Sequence, residues 1–248
     1  MGRAFEYRKE RKFKRWAAMS KAFTRIGKEI MMAVKAGGPN PDTNARLKIA
    51  IQNAKGVNMP KQNIENAIKK ASSKEYEDYD QVLYEGYGPG GVAILVEAAT
   101  NNTTRTVANL RSYFNKFDGS LGTSGSVSFM FNHVGVFTIP KSLIKNVEEF
   151  ELEMIDAGVD DIEMDDEKCI ITCPFEQFGP VNSKLEELGI EAEESVLNWF
   201  PMNQVAVTGD NAIKLVKLLK KIEEDDDVQK VYANYEMNDE IAELFDKE

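Results

Sequence analysis

From Ala17 to Lys35 the apolar residues Met19, Phe23, Ile26, Ile30 and Val34 recur at helical spacing. That stripe predicts an amphipathic helix. Lys21, Arg25 and Lys28 follow one another at i, i+4 and i+7 on another face. Gly37 and Gly38 supply a stop. Asn40-Pro41-Asp42 predicts the next start, with an N-cap, a proline at the first helical position and an acidic first turn. That second helix turns Leu47, Ala50, Ile51 and Ala54 inward and ends at Gly56. Pro60 opens a third, with Ile64, Ala67, Ile68 and Ala71 on one side. Residues Met1 to Ser73 therefore read as helical, forming a small three-helix bundle. The polar stretch from Ser72 to Asp80 marks a boundary.

Beyond it the pattern shifts to short apolar runs separated by helical stripes. Strands are predicted at Val92–Glu97, Val127–Phe131, Val136–Ile139, Asp161–Met164, Lys168–Thr172, Glu191–Trp199, Val205–Val207 and Val228–Tyr235. Helices are predicted at Thr103–Phe117, Ser142–Ala157, Phe175–Leu188 and Asp210–Glu224. Two βαββαβ units follow from this order, one continuous and one split around it, as in ferredoxin-like sheets. An insertion into a host unit keeps the ends of the insert close together. The expected fold is α+β: a helical bundle over 1–76, a split α/β domain from 77–133 and 204–248, and an inserted α/β domain at 134–203.

Charge changes the picture at one end. The 248 residues carry a formal net charge of −10, which argues against a polyanion partner. Yet residues 1–70 hold 17 Lys+Arg against 5 Asp+Glu, a net of +12, and the remainder holds 14 against 36, a net of −22. Such asymmetry is the mark of a polyanion-binding segment on a repelling body. Arg3, Arg8, Lys9, Arg11, Lys12, Lys14 and Arg15 are interleaved with Phe5, Tyr7, Phe13 and Trp16. Cations neutralise phosphates, and aromatic rings stack on unpaired bases; the competing reading is a solvated tail anchored by Phe13 and Trp16. Lys21, Arg25, Lys28, Lys35, Lys48, Lys55, Lys61, Lys69 and Lys70 extend the basic surface.

No apolar window is long enough to span a membrane. The first residues lack the apolar core of a secretory signal, so a cytoplasmic location is expected. Cys169 and Cys173 are the only cysteines and His133 the only histidine. A strand CIITC places the two sulfurs' residues roughly 13 Å apart, too far for a disulfide, and no zinc-ligand spacing exists. Small buried hydrophobes are the expectation.

Tyr84-Glu85-Gly86-Tyr87-Gly88-Pro89-Gly90-Gly91 contains a formal G-x-G-x-x-G. A strand follows it and no helix opens, so it is no dinucleotide site. It reads as a tight turn with glycines at positive φ, and Tyr84, Tyr87, Gly88 and Gly90 become candidate contacts. Gly119–Ser126 is a second candidate loop, with Thr123 and Ser124 at its tip. Gly/Ser/Thr loops present backbone N–H groups to phosphates, and a plain connection fits equally well. No catalytic constellation, cofactor motif or metal set is found.

Four segments carry a resemblance: AVKAGGPNPDTNARLKIAIQNAKGVNMPKQNIENAIKKA from Ala33 to Ala71, YEGYGPGGVAILVEAATNNTTRTVANLR from Tyr84 to Arg111, GSLGTSGSVSFMF from Gly119 to Phe131, and DDDVQKVYANY from Asp225 to Tyr235. The chain resembles the YebC/PmpR family over nearly its whole length. The resemblance implies a helical domain and two α/β domains, the third inserted in the second. The family usually opens with a glycine-histidine-serine-lysine-tryptophan motif; here Gly2-Arg3-Ala4-Phe5-Glu6-Tyr7 stands in that place, without the histidine. The family is described as DNA-binding transcriptional regulators, and also as ribosome-associated translation factors that relieve stalling, with a mitochondrial relative that activates translation of a cytochrome oxidase subunit. Together these imply a non-enzymatic regulator of gene expression with DNA or ribosomal RNA as partner and the ribosome as a further one; an uncharacterised enzyme is the less favoured alternative. No membrane partner is expected, and a monomer is the favoured state.

Overall fold

The structure, a computed structural model, describes residues 19–73 and 78–246. In chain order its elements are α1 (Met19–Gly37), α2 (Ala45–Gly56), α3 (Lys61–Ala71), β1 (Asp80–Tyr87), β2 (Ala93–Thr100), α4 (Thr103–Lys116), β3 (Ser120–Leu121), β4 (Phe131–Pro140), α5 (Val147–Asp156), β5 (Asp161–Met164), β6 (Lys168–Pro174), α6 (Phe178–Glu187), β7 (Glu194–Pro201), α7 (Gly209–Glu223), β8 (Val228–Ala233) and α8 (Asp239–Asp246). They form two compact units. Of the described residues, one comprises 19–73 and 133–198, the other 78–132 and 199–246.

In the first unit α1 packs on α2 and α3. Gly38 closes α1 at φ +86°, its N–H donating to the Val34 carbonyl at 2.8 Å; a left-handed residue there is what glycine permits cheaply. The cap of α2 corrects the expectation at Asn40. Asn40 instead forms a local turn, its side chain accepting from Asp42 N–H at 3.0 Å. Asn44 is the N-cap and accepts from Leu47 N–H at 3.0 Å. Its amide also donates to the Ala33 and Gly38 carbonyls, at 2.7 and 2.9 Å. One side chain thus starts α2 and ties it to the end of α1.

The inserted segment folds as a four-stranded antiparallel sheet in the order β5-β6-β4-β7. β4 and β6 pair from Val134–Pro174 to Pro140–Lys168. Phe137, Ile139, Cys169, Ile171 and Cys173 alternate onto one face, where Phe150 and Met154 of α5 and Val181 and Leu185 of α6 cover them. This is the ferredoxin-like arrangement. The helices begin later than expected, because Lys141–Leu143 and Phe175–Gln177 are single 3₁₀ turns.

The second unit also holds a four-stranded antiparallel sheet, in the order β3-β1-β2-β8. Ile94, Val96 and Val231 face α4 (Leu110, Phe114) and α7 (Leu215, Leu219). Ala93, Leu95 and Tyr232 face the other way and are covered by Val127, Met130, Phe131 and Trp199. Two predicted strands fail. Val127–Phe131 is mostly a turn whose apolar residues serve as the sheet's cover, and Val205–Val207 contributes one parallel bridge, Val205 to Tyr235. The strand that takes the inner position is β1, registered with β2 from Asp80–Thr100 to Tyr87–Ala93. The sequence pattern does not show β1, because its exposed and half-buried residues (Asp80, Gln81, Tyr84) hide the period, nor α8, because it is short.

Candidate nucleic-acid interface

The basic-aromatic residues Arg3, Tyr7, Arg8, Lys9, Arg11, Lys12, Lys14, Arg15 and Trp16 lie outside the described residues. Of the helical continuation, Lys21 and Arg25 are half-buried on α1. Lys28 departs from expectation: only 7% of it is exposed. The reason is local. From Ile30 to Val34 every residue of α1 is buried, so the helix enters the packed interior there and its polar face narrows out.

The lysines of α2 are not simply an outward basic face either. Lys48 pairs with Glu186 at 2.7 Å and Lys55 with Glu191 at 3.3 Å. Both carboxylates belong to the inserted segment. Between these pairs Asn53 reads the backbone of β7 as a peptide group would. It donates to the Ser195 carbonyl and accepts from the Ser195 N–H, both at 2.8 Å. A Cβ on Gly56 would run into the carbonyl of Glu193, so glycine is required for that approach. Gln52 donates to the Ala192 carbonyl. Nothing in the local sequence singles out Asn53, and Gly56 reads there as a helix stop alone. Lys35, Lys61, Lys69 and Lys70 remain exposed.

The candidate loops are more constrained than their composition implies. Tyr84 packs against the core and its hydroxyl donates to the Thr103 carbonyl at 3.5 Å. Burial pushes its pKa up, and the Asp227 charge adds to that. Tyr87 is 36% exposed, with its hydroxyl donating to the Ser126 carbonyl at 3.2 Å. Gly90 has φ +75°, as the turn requires. Gly88 does not: its φ is −90°, and its need for glycine comes from packing, since a Cβ would sit 2.8 Å from Ile94 Cδ1.

Thr123 and Ser124 are exposed at the tip of the Gly119–Ser126 loop. The loop does cradle an anion, but the anion is internal. Glu85, 3% exposed, accepts from Gly125 N–H at 2.7 Å on Oε1 and from Val127 and Ser128 N–H at 2.8 Å each on Oε2. Burial pushes the Glu85 pKa up, but the three backbone N–H bonds outweigh it and hold the carboxyl below its ordinary range. The N–H groups of Gly125, Val127 and Ser128 are therefore spent on Glu85 and are not offered to an outside phosphate. A lone acid inside the apolar stretch Val82–Gly86 was the signal for it.

A second buried carboxylate, Asp227, accepts from Arg105 Nη2 at 2.7 Å, Thr106 Oγ1 at 2.8 Å and Thr100 Oγ1 at 3.1 Å. Burial raises its pKa and these partners lower it further than burial raises it. The group ties β8 to α4 and β2. Cys169 and Cys173 are free and buried, and burial pushes both thiols up to about 12, so neither is a thiolate at neutral pH. Among the described residues no helix is long and apolar enough to cross a membrane.

Two family profiles match in sequence order: the TACO1/YebC protein N-terminal domain over residues 3–74, and the TACO1/YebC second and third domain over 79–235. A protein of Parabacteroides distasonis named "probable transcriptional regulatory protein" is 52% identical over 239 residues, covering 96% of this chain and 98% of its own. One of Porphyromonas gingivalis with the same name is 53% identical over 234 residues, covering 94% and 97%. The crystal structure of a conserved hypothetical protein from Aquifex aeolicus matches with a TM-score of 0.75 at 41% identity, over 91% of this chain and 93% of that one. Helices first, then two antiparallel sheets each roofed by two helices, with both profiles in register with that order: the chain belongs to the TACO1/YebC family.

Proposed function

We propose that this protein is a non-enzymatic, nucleic-acid-binding regulator of gene expression whose contact surface is its basic N-terminal end. The observation that carries this reading is the charge segregation, +12 over residues 1–70 against −22 over the rest. Phosphates are attracted to one end and repelled by the body, which fixes orientation without base contacts. The relatives' name, probable transcriptional regulatory protein, is in keeping with it. Because Lys48 and Lys55 are paired internally, the contact falls to the segment before Ala17, to α1 and to α3. With about six phosphates neutralised, log K falls with log salt at a slope of roughly −4 to −5. A version beginning at Ala17 loses most of that slope. Equal slopes for the two proteins would refute the assignment.

A second reading, contact with unpaired ribosomal RNA, is favoured by the aromatic residues Tyr7, Phe13 and Trp16 among the cations. Duplex bases are closed to stacking, whereas a base–aromatic stack is worth roughly 1–3 kcal/mol. Tyr7→Ala and Trp16→Ala then weaken co-sedimentation with ribosomes about tenfold and leave binding to random duplex unchanged, helicity being checked by circular dichroism. Equal losses on both return the weight to duplex DNA.

A further inference from the structure

The outer face of α5 combines exposed aliphatic side chains with carboxylates. Phe150 and Met154 anchor the helix in the core of the inserted sheet. On the opposite side Leu152 and Ile155, neighbours at i and i+3, are 65% and 60% exposed. The acidic residues Glu148, Glu149, Glu151 and Asp156 surround them, and the helix has no basic residue. Single exposed aliphatics are ordinary. Two adjacent ones inside a ring of carboxylates select their occupant chemically. Nucleic acid is repelled by the ring. A neutral apolar partner would desolvate the carboxylates without pairing them. The occupant must bring cations and apolar area together.

This chain's own sequence holds such a segment. Gly2–Trp16 carries seven Lys and Arg residues among Phe5, Tyr7, Phe13 and Trp16, against two glutamates. We propose that the outer face of α5 is a docking site for the basic-aromatic Gly2–Trp16 segment of a second copy of the chain, the two copies exchanging segments about a two-fold axis. Reciprocal exchange closes the assembly at two, whereas a one-way contact would propagate. The same segment is the polyanion contact of the proposed function, and the competition that follows rests on that reading: nucleic acid and the second copy's α5 draw on one set of cations, so binding nucleic acid dissolves the dimer.

Sedimentation velocity of the full chain over a concentration series, at about 0.05 M and 0.5 M salt, tests the dimer. Screening at the higher salt shortens the reach of the charges to a few Å. The expected result is a concentration-dependent dimer at low salt that dissociates at high salt. Leu152→Ser with Ile155→Ser weakens it at least tenfold. Glu148→Gln with Glu151→Gln weakens it and flattens its salt dependence. Ile213→Ser, an exposed aliphatic on α7 in the other unit, leaves it unchanged. A photo-crosslinker placed at position 152 joins residues of Gly2–Trp16. A monomer at every concentration in low salt overturns the proposal. So does a dimer indifferent to the Leu152/Ile155 pair, or a crosslink to any other segment or protein. A single-stranded oligonucleotide is then added. Dissociation of the dimer on binding supports the shared use of the segment, and binding that leaves the dimer intact overturns it. Failure of both the single strand and a duplex of the same length to bind refutes the proposed function while the dimer result stands by itself.

Discussion

The two sheets have the same plan and different chain routes. In β5-β6-β4-β7 the strands come from one continuous βαββαβ run. In β3-β1-β2-β8 the place corresponding to β6, between the short edge strand and the first long strand, is taken by β1. β1 precedes its neighbour β2 and reaches it through the turn at Gly88–Gly91. The arrangement is thus set by what must be buried, two apolar helix faces on alternate residues of the strands, and not by the order in which the chain visits the positions. The routes are secured differently. The inserted core around Phe137, Ile139 and Ile171 is apolar. The split sheet adds buried polar ties where segments distant in sequence meet. Glu85 holds the loop at 125–128, Asp227 holds Arg105, and Asn234 accepts from the Ala93 N–H at 2.7 Å. Directional bonds cost most when half-made, so the Asp227 and Asn234 ties specify which segments pair across the 70-residue interruption.

The comparison is broken most severely at the first unit's own seam. Gly56→Val forces a branched side chain into the Glu193 backbone and costs about 3 kcal/mol, the upper end for overpacking. Hydrogen exchange should show the loss in α2 and β7 and leave β1 and β2 protected; uniform loss would mean that the seam is not where the strain falls.

Asp227→Ala strikes the split sheet instead. It leaves Thr100, Thr106 and the half-exposed Arg105 without their shared acceptor, at about 2 kcal/mol. Chemical denaturation reads the cost, and Arg105→Ala in the same background should add little, since the two side chains act as one group.

Glu85→Gln costs about 1–2 kcal/mol, because an amide NH₂ placed toward donor N–H groups loses at least one bond. Its pH dependence sharpens the point. The folded pKa of Glu85 is lowered, as is that of Asp227. Each therefore contributes stability that is present above the unfolded carboxyl range of about 4 and is lost as pH falls through the lower folded value. Thermal unfolding between pH 6 and pH 3 should fall less steeply for Glu85→Gln than for the unsubstituted chain; parallel curves would show that the nest does not depend on the charge.

The smallest effect separates two glycines of one turn. Gly90→Ala is strained at φ +75° and costs about 1 kcal/mol. Gly88→Ala has ordinary φ and meets the side-chain ends of Ile94, Leu215 and Leu218, at 2.8, 3.3 and 3.5 Å; side-chain ends give more readily than a backbone at positive φ, so it costs less. A thermal scan that ranks them the other way would make packing, rather than backbone conformation, the reason for this glycine pair.

Much of the fold was legible. The inserted sheet was readable because its strands and helices alternate without interruption, and Cys169–Cys173 showed as a strand from period alone. The split sheet was half-legible. Its helices at Leu110–Phe114 and Leu215–Ile222 announced themselves, whereas Val205–Val207 imitated a strand because residues that cover a sheet are as apolar as residues within it. The site was less legible. The composition of the Gly119–Ser126 loop fits a backbone anion contact and a plain connection equally, and nothing local says that residue 85 supplies an anion.

The sequence by itself determined the helices between Ala17 and Ala71, the α+β class and the charge split, because each is written in local periodicity or in counts along the chain; the nesting of one sheet in another was carried by the resemblance to the family. Only the tertiary structure decided which strand completes the split sheet, that Lys28 is buried, that Lys48 and Lys55 are engaged by Glu186 and Glu191, and that Glu85 fills the loop. These are pairings between residues tens to more than a hundred positions apart. Local pattern says that a lysine or a loop N–H needs a partner; only the packed chain says which partner it finds.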